Sequence, residues 1–468
     1  MGAALKVPNW KPMVFSPLFL FFLLALHSLQ IIGLQLLINA RRTAQHEISR
    51  LQINGMDTDN ESIFIFEEED LTAFLAWAYL PVSICLVVAA FWEVLDVTVR
   101  RLEPFRQLST PEGGNVWNAL CLDYTGAFGL TTPFKALKRR HYAVFLTSTA
   151  FVFVSIILPA MSGGLFSLEW GSLSSSAGKV EGPALVIVSV NTGVAVATQA
   201  IHGVLCGAII TLSIILSYRR TGLYRDPKSI GGVASLISDA DRSGLATLRL
   251  FRQIPSFAHA NVIYNSMQHL TFHLAHFPVA SADGSVSTAY QLTVNALPGH
   301  VLPIDPDQRG FSSSRRDVMG WWLTRRMAWL AEILFWLGQA SITAAIYYVA
   351  KILAVVTFGL GSQVSRLIIS KIMLTLCYTV GGMMWVSIQR NLQMFETWRQ
   401  LCAGRSRSLY ASLTSDNMAS LGLLGSAVLS IAMGSLITFW SSFCVFMVHV
   451  VTVFAPPILE LAYFSLHI

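Results

Sequence analysis

Six long apolar stretches run through this chain, at Met13–Ile38, Leu71–Leu95, Tyr142–Met161, Ala184–Ser217, Met327–Ala350 and Ile372–Ile388. An α-helix needs about 20 apolar residues to cross a bilayer core, and each stretch is near or above that length. A last block, Leu421–Leu461, is long enough for one span with an interfacial tail, or for two spans that turn at Trp440–Ser442. Pro456–Pro457 is expected to break any helix there. The pattern predicts an all-α polytopic transmembrane helix bundle of about seven to eight spans. The first stretch is longer than the apolar core of a signal peptide, and "ALHSLQ" is a poor cleavage site, so it reads as a retained span.

Polar positions set the orientation. The 97–141 loop holds Arg100, Arg101, Arg106, Lys135, Lys138, Arg139 and Arg140; the 218–326 and 389–417 loops are basic as well. The 162–183 loop holds only Lys179, and the 39–70 loop is acidic, with "DTDNES" and "FEEED", despite Arg41 and Arg42. Lys and Arg collect on the cytoplasmic side, which predicts cytoplasmic basic loops and a cytoplasmic N-terminus. The 39–70 loop then lies outside. It carries the one N-x-S/T sequon of the chain, Asn60-Glu61-Ser62, a candidate glycosylation site. Its acids lack ordered ligand spacing, so they read as a solvated face rather than a cation site.

"EPFRQL" at 103–108 and "ETWRQL" at 396–401 each follow an apolar stretch. With an offset of 293, Glu103, Phe105, Arg106, Gln107 and Leu108 meet Glu396, Trp398, Arg399, Gln400 and Leu401. The match continues without a gap through Trp117 and Tyr410, Leu120 and Leu413, to Asp123 and Asp416. Both copies fall on the same predicted side. The expected architecture is therefore two parallel repeated halves: a first membrane module at 1–222, a cytoplasmic linker at 223–319 and a second membrane module at 320–468. Each motif reads foremost as a structural elbow beside the membrane. Phe105 or Trp398 suits the headgroup level, and Arg106 or Arg399 can reach a lipid phosphate or a nearby acid. Glu103 and Asp123 can pair with basic groups. Nothing beside them supplies a nucleophile or a metal.

Polar residues within the apolar stretches are few: Gln199 and His202 in the fourth, Glu332 in the fifth and His449 in the last block. Such residues are functional candidates by default, although isolated Gln and His usually bond across helices. Glu93 and Asp96 are expected to be solvated near an interface. Small residues at Gly203 and Gly207, and at Gly422, Ser426, Ser430 and Gly434, suit close helix packing or self-association. In the linker, "SIGGVASLIS" suits a short helix and "STAYQLTV" a strand. "HLTFHLAHF" would place His269, His273 and His276 on one helical face, where packing is a better reading than zinc.

Composition agrees. The chain is 54% hydrophobic and 12% charged, where soluble domains carry about 25% charged residues, and its mean hydropathy is +0.57. The net charge of +6 sits at the ends of apolar segments, which speaks for topology and against nucleic acid. Cys85, Cys206, Cys377 and Cys444 fall in apolar segments as packing residues; Cys121 and Cys402 fall in basic loops, where palmitoylation is the alternative. No HExxH, GxSxG, Walker loop or dinucleotide glycine fingerprint occurs. No catalytic residue, metal ligand set or cofactor is assigned.

"RRLEPFRQLS", "LDYTG", "KRRHY" and "TGLYRDPKSIGGVASLI" resemble a large fungal family of multi-pass membrane proteins catalogued as a domain of unknown function. The resemblance covers most of 10–250 and, more weakly, 320–455. It implies a fungal integral membrane protein with a doubled module and no established activity. Family members are often longer, and Thr397 stands where the first copy has Pro104. The leading expectation is a non-enzymatic membrane organising or interaction protein of the plasma membrane or endomembranes. Its expected partners are membrane lipids and other membrane proteins, with a homo-oligomer open. A transporter or channel using the groove between the halves is the alternative, and a lipid-modifying enzyme the weaker one.

Overall fold

The computed structural model describes residues 10–50, 62–67, 71–119, most of 121–174, 181–223, 267–280, 286–296, 363–402 and 436–465, with a few isolated positions between. It is mainly helical. The helices are α1 (Pro17–Arg50), α2 (Leu71–Leu108), the short α3 (Thr132–Lys138), α4 (Tyr142–Val152), α5 (Leu158–Gly163), α6 (Thr192–Tyr218), α7 (Gln363–Cys402) and α8 (Leu436–Ser465). A π-helical turn, Phe153–Ile157, joins α4 to α5. Pro159 lies just beyond it, and its ring would press on the carbonyl of residue 155 in a regular helix. The wider π turn removes that clash.

Among the described residues, five helical stretches are long and apolar enough to cross a membrane: Pro17–Thr43, Tyr79–Leu108, Tyr142–Gly163, Thr192–Tyr218 and Lys371–Gln393. Thr438–Phe454 adds a shorter apolar stretch within α8. The expected span at Met327–Ala350, with Glu332, lies outside the described residues apart from Leu337, Ser341 and Ala344, and Gly422, Ser426 and Gly434 lie outside them too. So does "SIGGVASLIS".

Three expectations are corrected. Ala184–Val190 is not the start of the fourth span but part of strand β4 (Glu181–Val190). Its β-branched alternation favours a strand, and the helix opens only where the Asn191 side chain accepts from Val194 N at 3.1 Å. The last block does not turn at Trp440–Ser442 or break at Pro456–Pro457, since α8 is continuous through both. Proline is tolerated in membrane helices where local adjustment meets the backbone's hydrogen bonds. "HLTFHLAHF" is no helix either. It falls on strand β5 (Leu270–Ala280), where positions three apart do not share a face.

The connections fold at the two ends of the bundle. At one end, β1 (Ser62–Glu67), β4 and β3 (Phe166–Ser174) form an antiparallel sheet in the order β1-β4-β3, with Ile65 and Glu169 both paired to Ile187. At the other, β2 (Gly114–Asn115), β5 and β6 (Val286–Ala296) form a second sheet in which Gly114 pairs with Phe272. Leu270 and Phe272 are buried in the main core. The strand expected at "STAYQLTV" is found in β6. Residues of the segment read as a linker are thus packed on the first half.

Helix directions follow from the contacts. Trp10 N donates to Leu223 O at 2.9 Å, which sets the start of α1 beside the end of α6. Lys371 Nζ donates to Phe166 O at 3.3 Å, which sets the start of α7 beside the β1-β4-β3 sheet. Helices α2 and α7 therefore run the same way, from the sheet end toward the motif end. An offset of 293 carries Leu71–Leu108 onto 364–401, within one residue of α7 at each end. Helix α2 packs on α4 and α5, α7 packs on α8, α7 also meets α5, and α8 meets α2. Exchanging the two halves leaves that pattern of neighbours unchanged. It is a pseudo-two-fold four-helix centre, with α1 and α6 packed together beside it.

Candidate functional site

The first motif closes one end of the bundle. Helix α2 continues through Pro104 to Leu108 and stops at "STPEGG", where Gly113 takes φ +72°. Its last turn places Glu103, fully buried, against the residues that follow α6. Arg106 Nε and Nη2 donate to Glu103 Oε1 at 3.0 and 2.8 Å, and Gln107 Nε2 donates to the same oxygen at 3.0 Å. Arg219 Nη1 donates to Oε2 at 2.8 Å. A buried carboxylate is costly unless it is paired and hydrogen-bonded, and here both oxygens are engaged. Arg106 therefore reaches a nearby acid. Phe105 is part-buried against the main core and Leu108 is buried in it.

Neighbouring contacts widen this cluster. Thr221 Oγ1 donates to Trp10 O at 2.5 Å, and Ser109 Oγ donates to Arg220 O at 3.3 Å. The Arg139 guanidinium lies 5.0 Å above the Trp117 ring. Tyr124 and His141 share a buried hydrogen bond of 2.8 Å from the hydroxyl to Nδ1. Burial pushes the Tyr124 phenol up to about 12. Burial also lowers His141, against the opposing pull of Glu103. Both therefore stay neutral at pH 7. Asp123 lies outside the described residues, as does Asp416. Glu396, Trp398, Arg399, Gln400 and Leu401 form the end of α7, and only their backbone is described.

A second group lies within the bundle. Asp96 and Arg100 are not solvated as expected; both are fully buried and form an ion pair one turn apart on α2. Ser148 Oγ on α4 donates to Asp96 Oδ1 at 2.8 Å and accepts from Arg100 Nε at 3.2 Å. The offset of 293 carries Asp96 to Gln389 and Arg100 to Gln393, which are both buried. Gln389 Nε2 donates to Ser442 Oγ on α8 at 2.8 Å, one residue from the position equivalent to Ser148. The same clamp is thus ionic in one half and neutral in the other. Glu93, by contrast, is about a third exposed, and it is paired. Arg390 Nη2 donates to its Oε1 at 2.7 Å, tying α7 to α2.

Around that pair, α2, α4 with its π turn, α7 and α8 line a groove of about 530 Å³. Its walls are chiefly apolar, including Val87, Phe91, Val94, Phe151, Met383 and Val448. Its polar groups include Glu93, Arg390, Ser155, Gln393, His449 and Thr452.

Gln199 and His202 lie elsewhere, on the face of α6 that meets α1. Gln199 Nε2 donates to Ile31 O and Gln35 Oε1, both at 3.2 Å. His202 joins a chain that sequence reasoning missed. Trp92 Nε1 donates to His27 Nε2 at 2.9 Å, which leaves the proton of a neutral His27 on Nδ1. That nitrogen stands 2.9 Å from His202 Nδ1 and donates to it. All three rings are buried. A lone His in "LLALHSLQ" was the available signal. Gly203 and Gly207 do not pack on the helix beside them. Among the described residues nothing lies within 4 Å of a Cβ built at either, so they face away from α1. Ser430 is helical and fully buried.

These features define a polytopic helical membrane protein built from two parallel repeats. The profile of a family described as "Protein of unknown function (DUF3433)" matches the chain twice, over 75–167 and 368–460. The second match begins and ends 293 residues after the first, the same offset that aligns the two motifs and the two long helices. "RLEPF" lies inside the first match, whereas "GLYRDP" at 222–227 lies outside both. No curated protein and no solved structure matches the chain.

Proposed function

We propose that the protein is a non-enzymatic integral membrane protein that organises other components of a plasma membrane or endomembrane. The observation that carries this reading is Glu103, whose two oxygens are both held by neighbouring side chains. The repeated motif's carboxylate serves the fold and is not offered to a substrate. In this reading the basic motif end faces the cytoplasm, the β1-β4-β3 sheet faces outside, and Asn60 carries a glycan. The Lys/Arg distribution supports that orientation. Its partners are membrane lipids and other membrane proteins, with self-association open to it. Proximity labelling with a ligase on the N-terminus of the intact protein tests this. A reproducible set of membrane neighbours is expected, and labelling no different from an unrelated multi-pass protein would count against it.

The cavity favours a second reading, a transporter that uses the groove between the halves. Transporters place their substrates at the interface between repeats, and the Glu93–Arg390 pair joins the two halves beside this groove. In sealed vesicles, solute flux lost in both Glu93→Gln and Arg390→Gln would support it. Unchanged flux would remove it.

A further inference from the structure

We propose that the groove between the halves binds one neutral amphipathic lipid with a hydroxyl head, of the bulk of a sterol. At about 530 Å³ it lies within the usual range of small-ligand pockets and is too small for a two-tailed phospholipid. Val87, Phe91 and Val94 on one side and Met383 and Val386 on the other offer an apolar body to a hydrocarbon skeleton. Val87 and Ala90 are exposed among the described residues, so the groove opens on the side of α2.

The polar groups that line the groove select the head. Its charges are balanced, with Arg390 on Glu93 and the adjacent Arg100 on Asp96. An anionic or cationic head would have to break one of those pairs in a medium where an unpaired charge is costly. A hydroxyl asks for hydrogen-bonding partners only. Ser155 Oγ supplies one: it is buried, lines the groove and makes no hydrogen bond among the described residues. Buried polar atoms are normally satisfied. Ser155 sits within the π turn, and such turns occur frequently at functional sites. The Glu93 carboxylate, about a third exposed, is the natural acceptor for the lipid's proton. This inference concerns the groove that the transporter reading uses, but it needs binding and not movement.

The test uses the full chain in nanodiscs with two probes, a photoreactive sterol and a photoreactive fatty acid. The sterol probe should attach within 86–97 of α2 and 378–393 of α7, and excess unlabelled sterol should compete. Ala90→Phe fills the mouth and should lower attachment about tenfold, the equivalent of 1.4 kcal/mol. Its elution and melting serve as the folding control, and Val87→Trp replaces it if that control fails. No attachment in those stretches, attachment unchanged by the filling variant, or attachment of the fatty acid alone would overturn the proposal. Sterol attachment without solute flux would sustain it and remove the transporter reading.

Discussion

Arg219, just past the end of α6, donates to Glu103, in the last turn of α2, at 2.8 Å across 116 residues of chain. The bond joins the first motif to the "RRTGLYRDP" segment, which looked like two separate signatures in the sequence. Each partner is held by burial that would be unfavourable alone. Arg219→Ala leaves Glu103 with one cation in a buried place, where breaking such a pair costs about 3–5 kcal/mol. The variant should melt well below wild type in detergent. Glu103→Gln should be milder than Glu103→Ala, because an amide keeps an acceptor for one arginine. Equal melting of Arg219→Ala and wild type would show that the bond does not hold this end together.

The two halves meet through Glu93 and Arg390, 297 residues apart in the chain. A double-mutant cycle with Glu93→Gln and Arg390→Gln should give a coupling energy of about 1 kcal/mol or more, since the pair is only partly exposed. Additive effects on melting would show that the halves are not coupled here.

The Trp92–His27–His202 chain ties α2, α1 and α6 together. Trp92→Phe keeps an aromatic ring, though a smaller one, and leaves His27 Nε2 with no donor, at a cost of about 1–3 kcal/mol. His202→Leu should also destabilise, by removing the acceptor for His27 Nδ1. Thermal unfolding of both variants measures this, and no loss in either would mean that the chain is not formed.

Two glycines close the motif end. Gly113 and Gly222 have φ of +72° and +66°. A Cβ at Gly113 would collide with the His273 ring, and one at Gly222 would lie 2.7 Å from Ser109 Cβ. Alanine at either position should cost about 1 kcal/mol or more. Gly113→Ala should also expose the β5–β6 hairpin to protease before the helices. Unchanged proteolysis would show that the hairpin is held elsewhere.

His141 makes the motif end sensitive to acid. Burial lowers its folded pKa, so the unfolded chain binds a proton more readily, from about pH 6.5 downward. Stability contributed by the neutral ring is full above that range and is lost as pH falls toward the folded pKa. Wild type should lose more melting temperature between pH 7.5 and 5 than His141→Gln. An equal loss in both would assign the acid sensitivity to other groups.

Apolar length made the spans legible, because crossing a bilayer demands it, and the two motifs revealed the repeat. What stayed hidden depended on pairing over long distances. The burial of Asp96 was hidden because α4, which carries its partner Ser148, closes over it, and the pairing of Glu93 was hidden because Arg390 lies 297 residues away. Strand β4 was absorbed into the fourth span because its "LVIVSV" run is as apolar as a helix. His27 was overlooked because a single histidine in an apolar helix carries no pattern. Gly203 and Gly207 look like packing residues in any sequence, and only the fold reveals which way they face.

The central claim is a parallel repeat, with both motifs at one end of the bundle. Cysteine accessibility in sealed, oriented vesicles tests it most directly, in a background without native cysteines. Single cysteines at Glu112, just after α2, and at Ser406, just after α7, should react with an impermeant maleimide from the same side. A cysteine at Asn60 should react from the other. Labelling of positions 112 and 406 from opposite sides would contradict the account.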